Sequence, residues 1–297
     1  MGEEIELVFD KYRTAGRILA EVREEAKARI EEGVLLLDVA EFVENSIREK
    51  GGEPAFPCNI SRDEEAAHAT PAIDDKAVFG TEIVKLDIGV HVDGYIGDSA
   101  VTIDLSGKND GLVKASEAGL NAAIKIIRDG VSTVEIGEVI ENAIREHGYK
   151  PIVNLTGHGL TRYDAHAAPA IPNVKHKTGV VLRENEVVAI EPFATDGVGK
   201  VAEHGSAEIY SLIKAKPVRI KEAKKLLEEI KKYQELPFAK RWLPRERLDL
   251  AFRTLESTKG VLRAYPILRE EGDGLVSQAE HTIIVKKEGC EVTTKLP

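Results

Sequence analysis

Residues 86–105 read LDIGVHVDGYIGDSAVTIDL. Apolar and β-branched residues dominate, as in a pleated strand, yet four aspartates interrupt the run at 87, 93, 98 and 104. Asp93-Gly94 is a strong hairpin signal, because a type I′ turn needs two residues that tolerate positive φ. With that pair as the loop, cross-strand partners have numbers summing to 187, so Asp98 faces Gly89 and Asp87 faces Ala100. Side chains alternate faces along a strand, which puts Asp87 and Asp98 on one face as diagonal neighbours roughly 7–8 Å apart. Two carboxylates at that spacing can converge on one or two ions. Asp93 is used by the turn, and Asp104 lies about 20 Å farther along its strand. Taken alone, the stretch could equally be an edge hairpin with two solvated aspartates.

The rest of the chain makes that bland reading harder to hold. Glu191 ends the apolar run VVAIEP, and Glu280 interrupts QAEHTIIV, where a lone ionised acid is costly to bury. Carboxylates driven together repel and take up protons unless cations neutralise them. His158, between glycines in TGHGL, offers a nitrogen donor with backbone clearance. A mixed oxygen and nitrogen set suits two divalent ions of Mn, Fe, Co or Zn rather than Ca or Mg. Paired metals of this kind hydrolyse amides by supplying hydroxide and polarising the carbonyl.

The chain also repeats itself. Residues 33–54, GVLLLDVAEFVENSIREKGGEP, align without gaps on 130–151, GVSTVEIGEVIENAIREHGYKP, with ten of 22 positions identical. Ala67-His68-Ala69-Thr70-Pro71 corresponds to Ala165-His166-Ala167-Ala168-Pro169, and the strand ending in Asp87 corresponds to the one ending in Glu191. Two α/β halves built by duplication bring equivalent strands together about a pseudo-twofold axis, and a cleft between them collects acids and histidines from both. A helix is expected near the start, with Ile5, Val8, Tyr12, Ala15, Leu19, Val22 and Ala26 as its buried stripe, and another carries Leu120, Ile124 and Ile127 inward. Residues 220–234 and 245–258 read as helices separated by Pro237 and Pro244, inside a helical insertion taken as 206–270. Strand pattern returns over 274–289.

Bulk composition fits a folded enzyme. The 297 residues, 42% hydrophobic and 31% charged, allow one large core. A net charge of −10 disfavours non-specific attraction to nucleic acid or anionic membrane, although Lys214, Lys216, Arg219, Lys221, Lys224 and Lys225 form a local basic run. Such a run on an amphipathic helix is usually its solvated face. The acidic start, MGEEIELVFD, does not read as a secretory signal, and no stretch approaches membrane-spanning length, so we expect a cytoplasmic protein. Cys58 and Cys290 make no disulfide framework. Glutamine occurs only at 234 and 278 beside abundant Glu and Lys, a thermophilic composition.

The ordered set Asp87, Asp98, His158, Glu191 and Glu280, with the first two inside KLDIGVHVDGYIGD, resembles the methionine aminopeptidases and their relatives of the pita-bread fold. The resemblance covers nearly the whole chain. The long segment between Glu191 and Glu280 with LPFAKRWL at 236–243 looks like the insertion of type II members, and the short lead-in to the first helix looks like the archaeal form. It implies an α/β pita-bread catalytic domain over 1–205 and 271–297, with the insertion as a subdomain.

The resemblance also implies roles. Asp87 would chelate one of two metal ions, His158 and Glu191 the other, with Asp98 and Glu280 bridging. Glu191 would also move the proton, His68 and His166 would hold the scissile amide and the developing oxyanion, and Phe56 and Tyr265 would line the methionine pocket. Partners would be N-terminal methionyl peptides and nascent chains, with a transient ribosome contact, for a monomer that needs neither membrane nor specific nucleic acid. Two departures, Ala168 after His166-Ala167 and Ala279 before Glu280, bear on pocket shape. His91, near the hairpin end, and His281, pointing away from Glu280, are expected outside the site, as are His147, His176 and His204. Competing readings are an X-Pro aminopeptidase or prolidase of the same fold, and a metal-free protein of this fold that binds nucleic acid or ribosomes.

Overall fold

The computed structural model describes residues 2–245 and 248–296. The hairpin has the expected register: strand Ile83–Val92 pairs antiparallel with Tyr95–Asp104, with Asp87 opposite Ala100 and Asp98 opposite Gly89. Asp93 and Gly94 both have positive φ, 52° and 87°, as the type I′ turn requires. The turn is held from outside by Lys11, whose Nζ lies 2.8 Å from Asp93 Oδ2.

The duplication is visible in the backbone. Helices α1 (Gly2–Lys27) and α2 (Leu36–Glu49) back the first half, and α3 (Asp110–Ile126) and α4 (Thr133–Glu146) back the second. α2 and α4 are both 14 residues long and end alike. Gly51 and Gly148 take left-handed φ of 87° and 84°, the conformation a helix C-terminus favours. Each helix is followed by a two-residue strand ending in proline, Glu53–Pro54 and Lys150–Pro151. The starts differ: Ser132 and Glu135 form a capping box on α4, whereas Leu35 before α2 has no side chain to cap with.

Each half has its own apolar core. Leu19, Val22, Val43 and Ile47 pack on Leu86, Ile88 and Val90 in the first, and Leu120, Ile140 and Ile144 pack on Val188, Ile190 and Ile283 in the second. The α1 stripe is buried from Tyr12 to Ala26, but Ile5 is 39% exposed. Residues 3–7 are all exposed, so the apolar core does not reach that turn.

Two long strands, Val201–Leu212 and Leu262–Glu270, pair antiparallel with an irregularity between His204 and Ile209, and the sheet extends to Glu65–Ala67 of the first half. Between them, α5 (Lys221–Ile230) and α6 (Leu248–Ser257) cover a core that includes Tyr210, Leu227, Phe238 and Phe252. Segment 206–270, read as helical, is therefore helical only in its middle. Strand residues such as Ser206, Glu208 and Ser211 are too polar to mark a strand by apolar run. Among the described residues no helix is long and apolar enough to cross a membrane.

Candidate metal centre

Asp98 and Glu280 come from different halves of the molecule and are fixed by the backbone that carries them. Thr282 Oγ1 accepts the Asp98 N–H at 2.7 Å and donates to the Asp98 carbonyl at 2.9 Å. The Glu280 N–H donates to the Ala100 carbonyl at 3.1 Å, and Ser99 Oγ donates to the Glu280 carbonyl at 2.6 Å. Strand His281–Val285 pairs with Val187–Ile190, with His281 opposite Ile190, so Glu280 and Glu191 meet at adjoining strand ends. His158, in strand Thr156–Thr161, pairs opposite Ala189 of the same sheet.

The donors converge. One donor atom each from Asp98, His158 and Glu280 lie within 4.8 Å of one another, and all three residues are buried. His158 Nε2 is 3.4 Å from Glu191 Oε1 and 3.8 Å from Asp98 Oδ2. Its other nitrogen, Nδ1, lies 3.3 Å from the Gly159 carbonyl. A carbonyl can only accept, so the proton sits on Nδ1 and the Nε2 lone pair points at the acids. Asp87 Oδ1 is buried with no hydrogen-bond partner.

Burial sets the electrostatics of the site. Burial pushes Asp87 up to about 7. Asp98, Glu191 and Glu280 are raised well above the carboxylate range, first by burial and then by neighbouring carboxylates, Asp87 acting on all three. Burial also lowers His158 to about 3, so the imidazole is neutral and free to ligate. Four clustered acids, a bare imidazole lone pair and an orphaned carboxylate oxygen fit divalent cations of the borderline type.

The cavity around the acids is about 560 Å³. All nine residues singled out from sequence line it: Phe56, His68, Asp87, Asp98, His158, His166, Glu191, Tyr265 and Glu280. The ring centroids of His158 and His166 are 4.9 Å apart, and Tyr265 lies edge-on to His68 at 5.6 Å and stacked on His166 at 6.1 Å. His68 Nδ1 is 3.3 Å from the Pro266 carbonyl, so by the same logic its Nε2 is an acceptor, and burial lowers its pKa to about 4. The space beside Gly89, opposite Asp98, is filled by Phe56, whose ring would be 2.3 Å from a Cβ there.

The profile of metallopeptidase family M24 matches residues 10–223. The chain belongs to metallopeptidase family M24. The methionine aminopeptidase of Archaeoglobus fulgidus is 54% identical over 97% of this chain and 99% of its own length, and that of Methanocaldococcus jannaschii is 49% identical over 97% and 98%. Among solved structures, a methionine aminopeptidase from Rickettsia prowazekii superposes with a TM-score of 0.71 at 22% identity, covering 98% of each chain. A thermophilic Arx1 superposes at 0.86 with 19% identity, over 98% of this chain and 91% of its own. These two structures are alike in fold alone.

Within this M24 chain, five histidines lie outside the acid cluster and its cavity. His91 Nδ1 accepts the Gly94 N–H at 3.2 Å and belongs to the turn. His281 contacts Thr294 Oγ1 at 2.9 Å, outside the cavity wall. His147 lies against the Ala143 carbonyl at 2.9 Å, and His176 and His204 are exposed.

Sequence reasoning missed three polar neighbours. Gln278 Nε2 donates to Glu280 Oε2 at 3.4 Å, and its amide partly offsets the upward shift that burial gives Asp87. Its signal was available, since it is one of two glutamines and shares the face of Glu280. Asn173 Nδ2 donates to the carbonyls of Leu155 at 3.0 Å and Glu191 at 3.2 Å. Arg263 lines the cavity near His166, whose pKa is lowered mainly by burial and further by this charge.

Proposed function

We infer that this chain is a methionine aminopeptidase: it removes the N-terminal methionine from peptides and nascent chains whose second residue is small. The observation that carries this is the convergence of Asp98, His158 and Glu280 in a cavity also lined by His68, His166 and Tyr265, in an M24 chain about half identical to methionine aminopeptidases over its full span.

In this reading Asp87, Asp98, His158, Glu191 and Glu280 hold two divalent ions, with Co, Mn, Fe and Zn all suited to the donor set. Asp87 would serve one ion, His158 and Glu191 the other, and Asp98 and Glu280 would contribute to both. Ions bound there supply Lewis acidity and water ionised near neutral pH. The peptide's amino terminus enters at the acidic end. Phe56 and Tyr265 present aromatic walls to the unbranched methionine side chain. His68, with its proton held on Nδ1 by Pro266, offers Nε2 to the N–H of the scissile amide. His166, neutral because its pKa is lowered, donates to the carbonyl oxygen as negative charge develops there. Glu191 takes the proton from the attacking water and delivers it to the departing amine.

Residues 1–205 with 271–297 form the catalytic domain in this proposal, and 206–270 the type II insertion. The protein acts as a cytoplasmic monomer that meets nascent chains during transient ribosome contact.

The test is hydrolysis by Mn- or Co-loaded protein. Release of Met from Met-Ala-Ser, with Leu-Ala-Ser left intact, is the expected result. Preferential cleavage of X-Pro peptides would move the assignment to the prolidase-like members. Fewer than one bound ion per chain after reconstitution, with no hydrolysis, would favour a metal-free binding protein.

A further inference from the structure

Arg263 is the single lysine or arginine among the described residues that line the cavity. It is solvent-exposed, and no hydrogen bond or ion pair with another described residue holds its guanidinium. Its position is set by strand Leu262–Glu270, where it sits two residues before Tyr265 and therefore on the same face. Ser211 is its cross-strand partner, and Ser211 Oγ also bonds the Tyr265 hydroxyl at 3.1 Å, which anchors both positions to the neighbouring strand.

Charge is therefore graded along the cavity. Four carboxylates occupy the inner end, neutral His68 and His166 stand against Tyr265, and the exposed Arg263 lines the solvent side. A peptide whose amino terminus enters the acidic end, and whose first amide lies between the two histidines, leaves in the direction of Arg263. Two strand residues advance roughly 7 Å, the length of two residues of extended peptide. Arg263 thus falls opposite the third or fourth residue of the substrate.

We propose that Arg263 is a specificity-determining residue that reads charge downstream of the cleaved bond. It favours a carboxylate at the third or fourth position, supplied by an aspartate or glutamate side chain or by the C-terminus of a short peptide. This deepens the methionine aminopeptidase reading and rests on it. An exposed ion pair of this kind amounts to about a threefold effect, expressed mainly in KM and weakened by salt.

The experiment uses the full chain loaded with Mn and two peptide sets. The first carries Glu, Gln or Lys at position three or four of an amidated Met-Ala peptide. The second compares Met-Ala-Ser as free acid and as amide, which separates a side-chain carboxylate from a terminal one. Wild type is expected to rank Glu over Gln over Lys in kcat/KM, with about threefold between neighbours in that order. Arg263→Gln should flatten the ranking and Arg263→Glu should invert it. Each variant is read against its own Gln peptide, so a change in folding or overall turnover cancels. If Arg263 served only to tune His166, its replacement would shift the pH profile for all peptides alike and leave the ranking intact, which would overturn the proposal. Methionine release with no ranking in wild type would overturn it too, while leaving the activity standing. Failure to release methionine from any peptide would remove both.

Discussion

The Thr282 hydroxyl bonds both backbone groups of Asp98, accepting its N–H at 2.7 Å and donating to its carbonyl at 2.9 Å across 184 residues of sequence. One buried side chain thus fastens the first-half hairpin to the strand that follows Glu280. Thr282→Val keeps the shape and deletes both bonds, leaving the buried Asp98 N–H unpaired. A loss of about 1–3 kcal/mol is expected. Thr282→Ser should recover most of it, and denaturant melts of the three proteins check this.

In the proposed roles, removing a metal ligand should separate from removing a substrate contact. Asp98→Ala or Glu280→Ala is expected to lower both bound metal and turnover, the latter by about a thousandfold, since several kcal/mol of charge stabilisation would go with the ions. His68→Ala should leave metal content unchanged and reduce kcat by roughly 10²–10³-fold, the usual cost of losing one preorganised polar contact to the reacting amide. Metal analysis beside steady-state kinetics distinguishes the two classes.

The acidic cluster dictates the pH behaviour of metal-free protein. Asp87 is pushed up to about 7, and Asp98, Glu191 and Glu280 are shifted upward as well. An acid whose folded pKa exceeds its unfolded value binds more protons when folded, so stability falls as pH rises between about 4 and 7. Metal-free protein should therefore melt at a lower temperature at pH 8 than at pH 5.5. Saturating Mn should remove or reverse that difference, and its uptake at pH 6 should release protons, measurable by titration calorimetry in buffers of different ionisation enthalpy.

A buried ion pair ties the 206–270 segment to the first half. Arg241 and Glu44 pair with both side chains only 4% exposed, Trp242 Nε1 donates to Glu44 Oε2 at 2.7 Å, and the Cys58 N–H donates to Glu44 Oε1 at 3.1 Å. Cys58 lies two residues from Phe56 on the cavity wall. Glu44→Ala strands a buried guanidinium and should destabilise the protein by about 3–5 kcal/mol. The double variant Glu44→Ala, Arg241→Met should lose less than the sum of the single changes, as a double-mutant cycle would reveal.

Much of this site was legible because its signals are local or energetic. A two-residue turn sets the hairpin register by itself, which fixes the faces of Asp87 and Asp98. Glu191 and Glu280 stood out because ionised acids in apolar runs need a partner. The Glu44–Arg241 pair was not legible, because its members are 197 residues apart and each reads alone as an ordinary helical or loop charge. The strand character of 201–212 was hidden for a different reason: it is imposed by eight paired residues of 262–270 rather than by its own polar composition.

By itself the sequence determined the backbone repeats, the turn and the list of side chains whose burial would be costly, all properties of neighbours along one chain. Tertiary structure alone decided that these side chains share a cavity, that His158 presents Nε2 to the acids, and that Arg263 lines the same cavity. Such facts depend on contacts between distant segments, where orientation comes from packing of whole sheets and helices rather than from local backbone preference.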